Sequence, residues 1–320
     1  MQREREEEKE LRRGESVSQE AGKAAQGLRR ILLYIAYDGT NYAGFQAQPS
    51  GVATIEGEVA RAVSEVTGES AAMIGGSRTD AGVHALCNVA VFDTGSRIPG
   101  EKFSYALNSR LPEDIRIQRS MEVAADFHPR HQVVEKVYEY RIYNAPFPSP
   151  MKRLYTHYSY TPFDVDRMRE GGRFLIGEHD FKSFCSVYSQ AATTVRTITD
   201  VSVEEVPLGG AGGVVAGAER GAAGGVVTGT VQSVADSAGA GQGTAAVGLL
   251  PREIVIRVSG YGFLYNMVRI IAGTLMEVGR GAKEPGDIPA ILEARERRAA
   301  GPTAPPEGLT LCEYRFLESC

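Results

Sequence analysis

The sequence predicts an α+β fold: two similar halves, each an antiparallel sheet with helices on one face, with a cleft between them. Three observations carry this. Stretches of strand character alternate with stretches of helical period, but never as regular βαβ units. The same succession runs through the chain twice, and two such halves place a site in the cleft between them. Hydrophobic residues make up 42% of 320 residues, enough for a sizeable core.

The elements follow in order. ILLYIAYD (31–38) is a continuous apolar run and reads as a buried strand. TIEGEVARAVSEV (54–66) puts Ile55, Val59, Val63 and Val66 at helical spacing, with Thr54 as a suitable N-cap. HALCNVAVFD (84–93) reads as a strand, 102–110 as a short helix and 114–123 as a strand. In the second half VVEKVYEYRIYN (133–144) is an alternating strand, 163–175 a helix, and 194–206 and 252–259 two further strands. Residues 262–279 read as a long helix, 287–297 as a shorter one and 310–317 as the last strand.

Two segments stand outside this grammar. Residues 1–30 alternate glutamate with arginine and lysine and hold almost no large apolar side chain, so a charged, disordered extension is expected. Residues 207–248 contain 13 of the chain's 37 glycines and too few large apolar residues to bury a core; a flexible Gly/Ala-rich insertion between two strands is expected. The domain reading is therefore an extension at 1–30, an N-terminal half at 31–130 and a C-terminal half at 131–320 that carries the insertion.

Composition excludes several classes. No run of about 18 apolar residues suggests a membrane span, and the glutamate-rich start has no apolar core of a secretory signal. The four cysteines are scattered with no CxxC pair, which favours a reducing compartment and disfavours a disulfide framework or cysteine zinc site. The five histidines are too dispersed for a metal set, and no nucleotide-binding glycine motif occurs, so neither a metal nor a nucleotide cofactor is expected. The net charge of −5 argues mildly against a nucleic-acid binder, unless the acidic residues lie on a far face and a basic groove does the binding.

The candidate residues each have two readings. In GGSRTDAGVHALCN (75–88), Asp80 is either an Asx-turn or cap residue or a nucleophile or base presented by a glycine-flanked loop. Arg269 lies within the apolar stretch YGFLYNMVRIIAGTLMEVG (261–279); it must snorkel to water or find an anion on another element, Asp80 being one of several candidates. Lys136, Tyr138 and Tyr140 share a strand face, which fits either a core face or a surface that stacks a base and holds a phosphate. AVFDTGS (90–96) contains the Asp-Thr-Gly of aspartic proteases around Asp93, but no second Asp-Thr/Ser-Gly supplies the partner carboxylate.

Taken together, YDGTNYAGFQ (37–46), SRTDAGVHAL (77–86), LNSRLPEDI (107–115), DFHPR (126–130), KVYEYRIYN (136–144), FLYNMVRIIAGTLMEVG (263–279) and EGLTLCEY (307–314) resemble the TruA family of tRNA pseudouridine synthases, in the family's order. The resemblance implies Asp80 as catalytic aspartate, Arg78 as the residue that helps displace the target nucleotide, and Tyr138 stacked on the target base. It implies Arg269 paired with the aspartate and Leu309 lining the uracil pocket. The implied activity is isomerisation of uridine in the tRNA anticodon stem-loop, at tRNA positions 38–40, by a homodimer; the compartment is read as cytoplasmic, with organellar and nuclear locations as alternatives. The reaction involves no net redox or energy input, so no cofactor is expected. The alternative is a catalytically silent tRNA- or RNA-binding protein on the same scaffold. Departures from the family pattern are Ser77 before Arg-Thr-Asp, Phe45 where many members have tryptophan, the extension and the insertion.

Overall fold

The computed structural model describes residues 27–49, 51–206, 208 and 250–317. The N-terminal extension up to residue 26 and, save residue 208, the stretch 207–248 lie outside the described residues. The charged segment ends earlier than the sequence suggests, because Arg29 and Arg30 already belong to the first strand.

In chain order the elements are β1 (Arg29–Tyr37), α1 (Ile55–Thr67), β2 (Met73–Gly75), β3 (His84–Thr94), α2 (Phe103–Asn108), β4 (Ile115–Val123), β5 (Val134–Asn144) and β6 (His157–Ser159). They continue with α3 (Val165–Arg173), β7 (Gly177–Asp180), β8 (Val195–Val206), β9 (Arg252–Tyr261), α4 (Met267–Gly279), α5 (Asp287–Ala294) and β10 (Leu309–Phe316). Thr54 caps α1 as its sequence suggests, its hydroxyl accepting the Gly57 N–H at 3.2 Å. The short strands β2, β6 and β7 carry no periodic signal, since three or four residues are too few to show one.

The sheets of the two halves join into one ten-stranded sheet, ordered β4-β1-β3-β10-β5-β9-β8-β7, with β2 on β3 and β6 on β5. Pairing is antiparallel except at β10–β3 and β5–β6. The last strand of the chain thus closes the gap between the halves: Leu309 faces Tyr140 of β5, and Thr310 faces His84 of β3. Such an insertion depends on contacts across most of the chain and leaves no local mark in the sequence.

The principal core gathers one face of the sheet and the helices together: Ile31, Leu33 and Ile35 of β1, Ile254 and Ile256 of β9, Val59 and Val63 of α1, Met168 of α3, and Ile271 and Leu275 of α4. A smaller cluster, Leu32, Val89, Val91, Phe127 and Tyr314, occupies the other face. Ile271 and Leu275 are fully buried, each contributing about 1.5–3 kcal/mol. That outweighs the roughly 1 kcal/mol cost of Gly273 within α4. Gly273 is required there, because a Cβ would lie 1.9 Å from the Pro302 carbonyl oxygen.

α4 starts five residues later than its apolar pattern suggests. Gly262 (φ 76°) and Asn266 (φ 61°) are left-handed, which a right-handed helix does not admit. Residues 262–266 therefore form a loop, and Arg269 sits in the first helical turn rather than deep within the helix. No helix among the described residues is long and apolar enough to cross a membrane.

Candidate active site

A cleft of about 690 Å³ opens where the halves meet, lined among others by Arg78, Asp80, Tyr138, Phe263 and Leu309. Its floor is the 76–83 loop between β2 and β3, held by hydrogen bonds from several elements. Gly76 N–H donates to the Val89 carbonyl at 2.7 Å. Asn88, fully buried on β3, clamps Ser77 on both sides: its Oδ1 accepts the Ser77 N–H and its Nδ2 donates to the Ser77 carbonyl. The Tyr37 hydroxyl meets both Asn88 and the Thr79 hydroxyl (2.8 Å), and Phe45 N–H donates to the Thr79 carbonyl. Beyond Asp80, buried His84 accepts the Gly39 N–H on Nδ1 (3.1 Å) and reaches the Leu154 carbonyl through Nε2 (2.9 Å). A loop tied at Gly76, Ser77 and Thr79 and followed by an anchored His84 holds its carboxylate in one place, which is the preorganisation that chemistry needs.

Gly39 shows how tight the arrangement is. A Cβ there would lie 2.0 Å from the Val83 carbonyl oxygen and 2.6 Å from its carbon, so backbone and not a flexible side chain would have to move. Gly39→Ala is expected to cost about 1–3 kcal/mol of stability. Because the displaced segment carries Asp80, kcat/KM is expected to fall by roughly 10²-fold in the protein that still folds. Thermal melts alongside turnover check this; an alanine variant with unchanged turnover would show that the loop position does not matter.

Asp80 meets Arg269 across the cleft: Nη1 lies 3.3 Å from Oδ2, with the two side chains 15% (Arg269) and 22% (Asp80) exposed. This answers the arginine's need for an anion. The guanidinium is fixed from behind, Nε donating to the Ala304 carbonyl (2.7 Å) and Nη1 to Asn266 Oδ1 (2.9 Å). Asn266 is the residue the sequence reading missed. It precedes the helix, but its side chain caps no backbone N–H and instead orients Arg269, at a positive φ that asparagine tolerates better than most residues. The apolar pattern placed Asn266 inside the expected 262–279 helix, so no signal in the sequence pointed to this role.

Pairing alone would hold Asp80 ionised and its pKa low. Arg269 does act in that direction, but burial pushes the carboxyl above its ordinary value and Arg269 offsets this only in part. If the ionised form reacts, the acid limb of kcat/KM must lie above the ordinary aspartate pKa of about 3.8. A pH–rate profile checks this; a limb at or below that value would remove Asp80 as the group being titrated.

Tyr138 is buried with its ring edge-on to Phe263 at 5.1 Å and its hydroxyl against Ser77, and burial drives its ionisation far out of reach. The Ser77 Oγ is buried and makes no hydrogen bond of good geometry among the described residues. Leu309, buried at the start of β10, lines the cleft beside it. Arg78 is exposed at the rim. Tyr140, on the same strand face, is core: it is fully buried and donates its hydroxyl hydrogen to the Pro305 carbonyl. Asp93 is held by Arg30 through two hydrogen bonds (2.7 and 3.0 Å), so it serves as a structural ion pair away from the cleft.

Charge also gathers locally. Arg78, Arg130, Lys136 and Arg196 line the cleft, with Asp80 the one carboxylate among its lining residues. A net charge of −5 for the chain thus coexists with a cationic cleft. Lys136 was legible as a candidate phosphate-holding residue from the face it shares with Tyr138, whereas Arg130 and Arg196 had no role assigned from sequence, because isolated basic residues in strands and loops give no spacing to read.

Residues 33–132 and 173–316 match the family model described as tRNA pseudouridine synthase. The chain is 42% identical over 289 residues to tRNA pseudouridine synthase A of Acetivibrio thermocellus, covering 90% of this chain and 100% of that protein. It is 42% identical over 290 residues to tRNA pseudouridine synthase A 2 of Clostridium tetani, covering 90% and 99%. With the Brevibacillus brevis tRNA pseudouridine synthase A the identity is 39% over 289 residues, covering 90% and 100%.

Proposed function

This chain belongs to the tRNA pseudouridine synthase family, and from that premise we propose that it isomerises uridine in the tRNA anticodon stem-loop with Asp80 as nucleophile. The observation that carries the reading is the Asp80–Arg269 pair, which sets one carboxylate in a cationic cleft beside Tyr138. As a member of the family the chain is an isomerase that makes pseudouridine in tRNA.

The chemistry asks for what the cleft offers. The C1′–N1 bond breaks, the base turns, C1′ joins C5, and the proton at C5 is exchanged for one at N1, so product and substrate are isomers. Asp80 attacks the ribose or the base and leaves at the end. Tyr138 and Leu309 hold the detached uracil against an apolar wall while it turns. The nucleotide must first leave its stack, which costs a few kcal/mol. Arg78, exposed at the rim of the cleft, then takes up the vacated space in this reading, and the cationic lining favours the phosphodiester backbone.

Mapping pseudouridine by position in unmodified tRNA transcripts tests the reading. Product confined to the anticodon stem-loop is the expected result. Folded protein that binds tRNA and makes no product would replace it with a binding role. The homodimer implied by the resemblance is part of the same proposal, and light scattering should then give twice the 34.5 kDa chain mass.

A further inference from the structure

Among the described residues none of the four cations that line the cleft forms an ion pair, and two of them, Arg130 and Lys136, are held on neighbouring carbonyls. Arg130 Nε donates to the Gly75 carbonyl at 2.7 Å, and Lys136 Nζ reaches the next carbonyl, Gly76, at 3.4 Å. Both therefore hang on the residues that lead into the Asp80 loop. Neither forms an ion pair among the described residues. Glu56, the carboxylate Arg130 feels most, accepts a hydrogen bond from Ala47 N–H instead. Asp80 is already engaged by Arg269.

Lys136 is the more telling of the two. It is half-buried, its ammonium lies 5.1 Å from the centre of the Tyr314 ring, and one long carbonyl contact leaves most of its donor capacity unspent. Burial and the neighbouring Arg130 pull its pKa down to about 8. Two cations held together without a carboxylate cost stability. An arriving anion would remove that cost.

We propose that Lys136 and Arg130 form a phosphate-binding subsite that takes the backbone phosphate flanking the target nucleoside. The proposal rests on the tRNA reading above. Lys136 and Tyr138 lie two residues apart on one face of β5, about 7 Å along the strand, so base and phosphate are gripped from one rigid element. Arg130 supplies the planar fork that suits phosphate oxygens, and Lys136 a point charge. The subsite sets the register of the strand and thereby the uridine that reaches Asp80.

The test is a coupling experiment. Anticodon stem-loop RNAs carrying a single neutral methylphosphonate, scanned across the positions flanking the target, are bound to full-length Asp80→Asn protein with and without Lys136→Gln, Arg130→Gln or Lys136→Arg. At one flanking position the methylphosphonate is expected to weaken binding roughly tenfold or more. In Lys136→Gln or Arg130→Gln the same replacement should then cost little, while Lys136→Arg, which keeps the charge, should restore the cost. The salt dependence of binding should also fall by about 0.7 in log–log slope with the lost contact. Independent, multiplying effects at every flanking position would overturn the subsite. Product formation by the unsubstituted protein is scored separately. Coupling without product would sink the isomerase reading and leave the subsite; product without coupling would do the reverse.

Discussion

Asp80→Asn is expected to fold and to lose at least about 10⁴-fold in turnover, the scale on which nucleophile replacements fall. The amide keeps the carboxylate's shape and can still accept from Arg269, so the cleft keeps its geometry while losing the reacting charge. Stability supplies the control. Burial raises the Asp80 pKa in the folded protein, so the folded state holds that proton more tightly than the unfolded chain does. The benefit is present below the unfolded value and lost as pH rises through the folded one; above it the ionised carboxylate is a net cost. The asparagine variant, free of this cost, is expected to melt no lower than the original at neutral pH, with its relative advantage growing through that window and then levelling. Thermal melts from pH 3 to 8 alongside pseudouridine assays check both halves. Substantial pseudouridine from Asp80→Asn would end the nucleophile assignment.

Arg269→Gln should follow as the second large effect. Arg269 is the favourable charge acting on Asp80, so its loss leaves burial unopposed and moves the acid limb of kcat/KM to higher pH. A loss of roughly 10²–10³-fold in kcat is expected, comparable with removing one preorganised electrostatic contact. Destabilisation should fall at or below the low end of the roughly 3–5 kcal/mol seen when one partner of a buried pair is removed, because both side chains keep some exposure. Arg269→Lys is expected to recover only part of the rate: it restores charge but cannot donate at once to Asp80, Asn266 and Ala304 as the fork does. A variant with raised KM, unchanged kcat and an unmoved limb would show that Arg269 binds RNA rather than tuning Asp80.

The fold was legible wherever an element was long enough to show its period. β1, β3, β5, β8 and β9 and the helix α1 lie within a residue or two of their apolar patterns. The start of α4 was not, because the pattern of Gly262 to Asn266 satisfies a helix while their backbone, bent by two left-handed residues, does not. The site was legible in its chemistry more than in its geometry. The glycine-flanked Asp80 and the arginine in an apolar stretch both announced unusual surroundings. Asn266 did not, since the apolar pattern put it inside the expected helix, where an asparagine looks like any polar residue on a helix face.

The sequence by itself determined the longer strands and helices, the presence of a carboxylate on a tight loop, and the demand of Arg269 for an anion. All of these follow from interactions between near neighbours, where period, propensity and desolvation act locally. Tertiary structure alone decided that the anion is Asp80, 189 residues away, and that β10 returns to join the two halves and bring Leu309 to the cleft. It also decided that burial outweighs the ion pair at Asp80, and that an acidic chain presents a cationic cleft. Those outcomes depend on which surfaces pack together and how much water they exclude, quantities that belong to the whole folded chain and to no stretch of it.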